Sequence, residues 1–262
     1  MIPCEKILWE QMTPEELDSA IARTPLAYWP LGSLEWHGPH LPCGCDLLRA
    51  AAICQRAAAI SGGVALPPFY TTAPGFSAYR GSIFFSPRLV KAIAAEMHRE
   101  LAKVGFRALV QLLGHAGNAQ MESFTQPAEA SMKKYGLRIL TTTGGGAKMA
   151  DLEARFGRKI AQGHAGPGET AQCAAVARGL VRLDRFDPQA TRLPRYEGLD
   201  PATYYDGLSE EHHDKVRMHM ARTEWLWEED LVDQVLVPGL PEALLQLAAE
   251  NLAARAKELL EK

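Results

Sequence analysis

The chain has 262 residues, of which 47% are hydrophobic and 23% charged, and its formal net charge is −3. This length suits one large α/β domain or two small ones, and the small net charge predicts no general attraction to nucleic acid or anionic membranes. We find no apolar run of the roughly 18 residues that a membrane helix needs, and the first residues do not predict a signal peptide. Five cysteines without a zinc-finger spacing are typical of unpaired thiols, so we expect a cytoplasmic protein.

Short apolar runs alternate with amphipathic stretches along the chain. The predicted elements, in chain order, are a helix over 13–23, a strand over 26–33, a helix over 46–60, a strand over 64–72, a helix over 87–105, a strand over 107–114, a helix over 119–136, a strand over 137–146, a helix over 169–181 and a tail helix from about 240. Repeated alternation of this kind favours a mainly parallel sheet covered by helices. No linker divides the chain convincingly, so we predict one domain over residues 1–262.

The densest polar cluster lies between Leu31 and Asp46, where Glu35, His37 and His40 surround a Gly-Pro turn. Glu35 and His37 are two residues apart just beyond a predicted strand, so their side chains can point to the same side. Asp46 precedes the next predicted helix, where its carboxylate either caps backbone N–H groups or reaches back to a metal ion. The combination favours a ligand cluster over a chance arrangement.

Two further stretches share the pattern Gly-His-Ala-Gly. His115 directly follows an apolar strand, at the carboxyl end where ligands bind in open α/β folds. His164 and Glu169 lie in a Gly-rich turn before a helix, where small residues allow a ligand to approach the backbone. Carboxylates and imidazoles together suit Zn, Mn or Fe, whereas Mg and Ca favour oxygen ligands. Cys43 and Cys45 are poorly placed to chelate one ion together, so we expect no thiolate site.

Three motifs, in the same order over residues 28–172, resemble the creatininase (creatinine amidohydrolase) family. The segment PLGSLEWHGPHLPCGCD is similar to its Gly-Ser-x-Glu-x-His-Gly-x-His-Leu-Pro signature with a following Asp. GHAGN and HAGPGET are similar to its Gly-His-Gly-Gly-Asn and His-Ala-Gly-x-x-Glu-Thr turns. The resemblance implies a compact three-layer α/β/α fold and metal-dependent hydrolysis of a small-molecule substrate, mostly a cyclic or formyl amide. It also implies a homo-oligomer, often a hexamer.

The resemblance assigns roles residue by residue. The residues that match metal ligands, for one or two divalent ions per subunit, are Glu35, His37, Asp46 and His115. Asp46 matches the residue that bridges two ions, and His164 matches the catalytic histidine. Glu169 matches the acid of the third motif and is either a ligand or a group that orients His164. His40 and Asn118 match positions that we expect to support the ligands rather than to bind the ion.

Two departures from creatininase itself concern the second ion and the substrate. Gly117 stands where that enzyme has a Glu ligand, so a second ion has lost a ligand unless Glu169 or water replaces it. Creatininase also closes its site with tryptophans on the loop before the third motif, and no Trp occurs between Gly144 and Gly163. These two departures are compatible with metal-dependent hydrolysis, but they argue against creatinine as the substrate.

Several alternatives stay open on substrate and chemistry. The Gly-rich loop is a candidate substrate contact through Ser77, Tyr79 and Arg80, and Trp225 and Trp227 either cover the site or pack against another subunit. We expect metal-activated water to attack an amide carbonyl. The same centre could instead open a cyclic ketone or lactone, or the chain could be a non-catalytic homologue with a structural ion.

Overall fold

A computed structural model describes residues 6–75, 79–144, 149–157, 160, 163–186 and 237–261. Its strands are β1 (Leu26–Gly32), β2 (Val64–Ala65), β3 (Phe69–Tyr70), β4 (Ala108–Leu113) and β5 (Arg138–Thr142). Its helices are α1 (Pro14–Arg23), α2 (Cys45–Ser61), α3 (Pro87–Val104), α4 (Asn118–Tyr135), α5 (Met149–Phe156), α6 (Pro167–Ala177) and α7 (Leu240–Glu261). Short 3-10 turns lie at Trp9–Gln11, Arg178–Leu180 and Leu183–Arg185. Among the helices of these ranges, none has the length and apolarity to cross a membrane.

The sheet is parallel, as predicted, with the order β2-β1-β4-β5 and with β3 also paired to β1. The predicted strand over 64–72 is wrong as one element, because it is divided into two short strands that pair with different parts of β1. Pro67 and Pro68 lie between them. Neither proline has a backbone N–H to donate to a neighbouring strand, so the ladder breaks there.

Local sequence signals account for most of the helices. Thr13 caps α1 in a capping box with Glu16, and Pro14 occupies the first helical position. Helices α2, α3 and α4 each end at a glycine in the left-handed conformation, the usual residue where a helix stops. The helix α5 was not predicted, because it is short and follows a glycine run without a clear capping residue.

Side chains that alternate along the strands divide the core into two halves. Leu26 and Tyr28 of β1 face α2 and α7, whereas Ala27, Trp29 and Leu31 face α1, α3 and α4. Each face of the sheet is therefore apolar and covered by helices, as expected for a parallel sheet. This arrangement confirms the predicted three-layer α/β/α architecture.

Two glycines allow the start of α2 to lie against the carboxyl ends of the central strands. A Cβ atom at Gly32, the last residue of β1, would lie 2.5 Å from the backbone nitrogen of Leu47. A Cβ at Gly114, just after β4, would lie 2.4 Å from the carbonyl oxygen of Asp46. Both distances are shorter than non-bonded atoms allow, so this close approach, which places Asp46 at the sheet edge, depends on glycine.

Gly32→Ala is therefore expected to lower the free energy of unfolding by about 1–3 kcal/mol, because its methyl group overpacks a backbone contact. Denaturant unfolding of the metal-free protein measures this difference. Gly179→Ala is the matched control, since a Cβ there meets no atom within 4 Å. Equal stability of the two variants would contradict the packing argument.

Candidate metal centre

The residues of the first motif and the histidine of the second lie together at the carboxyl edge of the sheet. Glu35 and His37 follow β1, His115 follows the neighbouring strand β4, and Asp46 lies in the first turn of α2. All four side chains are buried. Asp46 does not cap α2, whose N-cap residue is Gly44. Its carboxylate instead faces His37 and His115. Of the two roles predicted for Asp46, the helix cap is therefore excluded.

The carboxylates of Glu35 and Asp46 share their polar neighbours. Ser33, which the sequence reasoning missed, donates its hydroxyl to Asp46 Oδ2 at 2.5 Å, and the same oxygen lies 3.3 Å from Glu35 Oε2. Nδ1 of His115 lies 3.0 Å from Glu35 Oε2 and 3.6 Å from Asp46 Oδ2. Burial alone would raise the pKa of Asp46, but His37 and His115 hold that pKa well below its usual range. Burial would also raise the pKa of Glu35, but His115 lowers it below its usual value, so both acids are ionised and available as ligands.

Candidate ligand atoms converge in three overlapping groups, each with its atoms within 4.8 Å of one another. The groups are Glu35, Asp46 and His115; His37, Asp46 and Glu169; and Glu35, His37 and His164. Asp46 belongs to the first two groups, so its two oxygens face two neighbouring positions. The structure thus brings together all six residues that the sequence singled out for metal binding or catalysis.

The orientation of His37 fits a metal ligand. Its Nδ1–H donates to the backbone carbonyl of Glu35 at 3.1 Å, which leaves Nε2 facing Asp46 Oδ1 at 3.0 Å and Glu169 Oε2 at 3.6 Å. A nitrogen lone pair and two carboxylates repel one another unless a proton or a metal ion lies between them. Burial alone would lower the pKa of His37, but Asp46, Glu169 and Glu35 raise it to about 10. In the metal-free chain a proton therefore takes the position of the cation.

The surroundings of His115 also fit an ion. Its Nε2 is buried and has no hydrogen-bond partner among the described residues, and such orphaned atoms are rare in native proteins. A Cβ at Gly75 would lie 2.3 Å from the His115 ring and 2.8 Å from Glu35 Oε1. The glycine therefore leaves space directly beside two ligands. This set of oxygens and imidazole nitrogens suits Zn, Mn or Fe, so the residues present fit the predicted metal.

His164 faces the same cluster from the third motif. Its Nε2–H donates to the carbonyl oxygen of Trp36 at 2.7 Å, so Nδ1 carries the lone pair and lies 4.0 Å from Glu35 Oε2. Burial and the charge of His37 lower the pKa of His164 to about 3, which keeps it neutral. Ala165, the next residue, has φ 55°, a conformation that costs energy for any residue other than glycine. The turn that presents His164 is therefore strained.

Arg49 holds Glu169 in position, and the sequence reasoning missed it. Its Nη1 lies 3.1 Å from Glu169 Oε1, and its Nη2 lies 3.9 Å from Asp46 Oδ1. The other oxygen of Glu169 accepts the backbone N–H of Ala165 at 2.8 Å. Burial would lower the pKa of Arg49, but the carboxylates of Glu169 and Asp46 raise it above its usual range. Its spacing of three residues from Asp46 on one helix is the signal that could have identified it.

The two predicted supporting residues lie outside the ligand cluster. His40 is buried, and its Nε2 lies 3.2 Å from the hydroxyl of Thr170 on α6. Burial lowers the pKa of His40 to about 4, so a neutral ring connects the first motif to the third. Asn118 begins α4 and lines the cavity beside His115.

Tyr79 and Arg80, two of the three predicted substrate contacts, lie in the described part of the chain but not on the wall of the cavity beside the cluster. A cavity of about 990 Å³ opens at the cluster, and its walls include Glu35, Asp46, His115 and His164. Tyr79 is fully buried and stacks on Trp36 at 5.2 Å between ring centroids, because its large ring fills space behind the first motif. Arg80 is exposed to solvent, and neither residue lines the cavity.

Residues of α6 and α7 form another wall of this cavity that the sequence reasoning missed. Gln172 lies on α6, and Leu244, Leu247 and Asn251 lie on α7. No local motif marks them, because the two helices are brought together only by the fold. Ser77, Trp225 and Trp227 lie outside the described residues, so the predictions on them stay predictions.

Known proteins provide an independent comparison with this fold and site. The sequence model of the creatininase family, described as creatinine amidohydrolase, matches residues 10–229. A creatinine amidohydrolase of Pseudomonas putida is 29% identical over 96 residues, and this match spans 34% of the chain and only 37% of that relative. A crystal structure of creatinine amidohydrolase (creatininase) is 19% identical, with a TM-score of 0.70 over 97% of this chain and 98% of that one.

Two creatininase structures whose descriptions name a metal have the same fold as this chain. A structure described as creatininase Mn has a TM-score of 0.71, and a creatininase variant described as Zn-Zn type has a TM-score of 0.70. Each is 20% identical and covers 97% of this chain and 98% of its own. These likenesses show a shared fold, and the family model covers most of the sequence. The chain belongs to the creatininase family.

Proposed function

We propose that this protein is a metal-dependent amidohydrolase that cleaves a C–N bond in a small molecule, either a cyclic amide or a formamide. The observation that carries the proposal is the convergence of Glu35, Asp46 and His115 on the wall of a cavity of about 990 Å³. Membership of a family described by creatinine amidohydrolase supports the same reaction class. The cavity is in the size range of sites for small molecules.

The ligand groups define what the protein contributes to the reaction. A divalent transition ion held by Glu35, Asp46 and His115 would supply Lewis acidity toward water and the substrate carbonyl. The manganese and zinc forms of related structures support that choice of metal. Ser33 donates its hydroxyl to Asp46 and lies within 3.3 Å of Glu35, so it holds the orientation of the Asp46 carboxylate during the reaction.

His164 is placed to move the proton. Because Nε2–H is engaged with the Trp36 carbonyl, Nδ1 is the atom that takes a proton from the attacking water. The C–O bond forms in this first step, and the same atom then delivers the proton to the leaving nitrogen as the C–N bond breaks. Burial and the charge of His37 lower the pKa of His164 in the metal-free chain, so the ring is a weak base there. The charge of His37 thus contributes to the low pKa. A divalent ion among Glu35, Asp46 and His115 would compete for the carboxylate charge that holds the proton on His37, and a neutral His37 would remove that contribution.

An ester or ketone substrate is the alternative within the same site. Hydrolysis of a cyclic amide or formamide releases an amine group, whereas opening of a lactone or cyclic ketone releases none. Amine detection across a panel of such compounds with the metal-loaded protein therefore separates these reactions. Metal binding without turnover on either class would favour the non-catalytic alternative. The cytoplasmic location and the homo-oligomer stay predictions from the sequence.

Asp46→Asn is expected to lower metal affinity at least about 10-fold, because an amide replaces a charged ligand of nearly the same shape. Elemental analysis after dialysis measures the bound metal, and the melting temperature of the metal-free variant reports the fold. Asp184→Asn is the matched control, since Asp184 is a surface acid paired with Arg182. Full metal content in Asp46→Asn would reject the assigned ligand.

His164→Ala is expected to keep its metal and to hydrolyse the substrate about 100- to 10,000-fold more slowly, the range for loss of a general acid–base group. Parallel loss of metal and activity would instead identify His164 as a ligand. The control is His98→Ala, because His98 is buried between Gln111 and Ser131 and should affect stability rather than turnover. Normal turnover in folded, metal-loaded His164→Ala would remove His164 from the mechanism.

Creatinine itself is expected to be a poor substrate, with turnover well below the roughly 10 per second typical of enzymes. The reasons are Gly117 in place of a ligand and the lack of Trp between Gly144 and Gly163. A creatinine assay on protein of known metal content measures it. Turnover of about 10 per second or more would contradict this prediction.

A further inference from the structure

Two of the three ligand groups share Asp46, and the two cation positions that they form differ in what surrounds them. One position lies among Glu35, Asp46 and His115, and the other lies among His37, Asp46 and Glu169. Arg49 contacts Asp46 at the oxygen that belongs to the second position, Oδ1, at 3.9 Å. That oxygen faces His37, whereas Asp46 Oδ2 faces His115.

Arg49 lies beside the second position. Its guanidinium contacts both carboxylates of that group, at 3.1 Å to Glu169 Oε1 and 3.9 Å to Asp46 Oδ1. Its Nη2 also donates to the carbonyl oxygen of Gly114 at 3.4 Å. The residue is only 9% exposed, so water screens its charge weakly. An arginine at this place stays protonated at any pH at which the protein is folded.

Counting charges favours one metal ion. Three carboxylates lie in the cluster, and Arg49 cancels one of them, so the carboxylates and the guanidinium together leave two negative charges. One divalent ion neutralises this remainder. A second divalent ion would leave a buried excess of positive charge beside a fixed guanidinium, and such an excess is strongly unfavourable where water is excluded. Gly117 provides no additional carboxylate to offset it.

We propose that the Arg49 guanidinium takes the place of a second metal ion, so that the chain holds one ion among Glu35, Asp46 and His115. Arg49 keeps Glu169 and Oδ1 of Asp46 in position, as a metal ion at the second position would. This inference rests on the proposed metal centre and makes it mononuclear. Arg49 is then a positioning residue and a determinant of metal stoichiometry.

A titration of the metal-free protein with Mn²⁺ tests this inference. Electron paramagnetic resonance counts the free ion, and it distinguishes an isolated bound Mn²⁺ from a spin-coupled pair. The wild-type chain is expected to bind one isolated ion. Arg49→Met, which keeps the length of the side chain without its charge, is expected to bind a second ion about 10- to 100-fold more tightly than the wild type does, the range of typical coupling between sites.

Two further variants serve as controls. Arg49→Lys retains the charge and should bind one ion. Arg56→Met makes the same substitution two turns along α2, at a surface ion pair with Glu242, and should also bind one ion. If Arg49→Met does not fold, Arg49→Gln removes the charge while keeping a hydrogen-bond donor. If neither variant folds, the number of Mn²⁺ ions bound by the wild-type chain tests the inference alone.

The outcomes separate the inference from the function on which it rests. A spin-coupled pair in the wild type would overturn the role of Arg49 and leave a metal-dependent hydrolase intact. A single ion in folded Arg49→Met, with no gain at the second position, would overturn it as well. No bound Mn²⁺ or Zn²⁺ in the wild type would reject the metal centre itself, and with it the proposed function.

Discussion

The ionised carboxylate of Asp46, buried at the edge of the sheet beside that of Glu35, is the constraint on which the site depends. Two buried like charges are strongly unfavourable unless cations or hydrogen-bond donors compensate them. The Ser33 hydroxyl donates to Asp46 and lies beside Glu35, and His37 and His115 face the two acids. The cluster is thus built to receive positive charge, which in the metal-free chain is present as protons on imidazoles.

The parallel sheet supplies the geometry that this compensation requires. Adjacent strands β1 and β4 end at the same edge, so residues that follow them meet although they are distant in sequence. The first turn of α2 reaches this edge because Gly32 and Gly114 leave space for its backbone. Apolar packing on both faces of the sheet makes the strand ends rigid, and rigid supports hold ligands in the geometry that they need.

Backbone carbonyls orient the two histidines that flank the cluster. The carbonyl of Glu35 accepts Nδ1–H of His37, and the carbonyl of Trp36 accepts Nε2–H of His164. In each ring the other nitrogen is therefore turned toward the acids. The pKa of His37 is raised to about 10 by the carboxylates at its free nitrogen, whereas burial and the neighbouring charge lower that of His164 to about 3. The same kind of backbone hydrogen bond therefore gives His37 a nitrogen that binds either a proton or a metal ion, and gives His164 a neutral nitrogen that can act as a base.

Local patterns in the sequence determined the strand–helix alternation, the parallel sheet and the residues of the three motifs, because apolar periodicity, caps and glycine turns act over a few neighbours. They could not determine that Tyr79 is buried behind Trp36, that His40 bonds to Thr170, or that Arg49 reaches Glu169. Each of these contacts joins residues from separate elements, and the partner of a side chain depends on how those elements pack. Only the tertiary structure decided that the cluster contains a buried guanidinium, since an arginine on a helix is otherwise expected to face water.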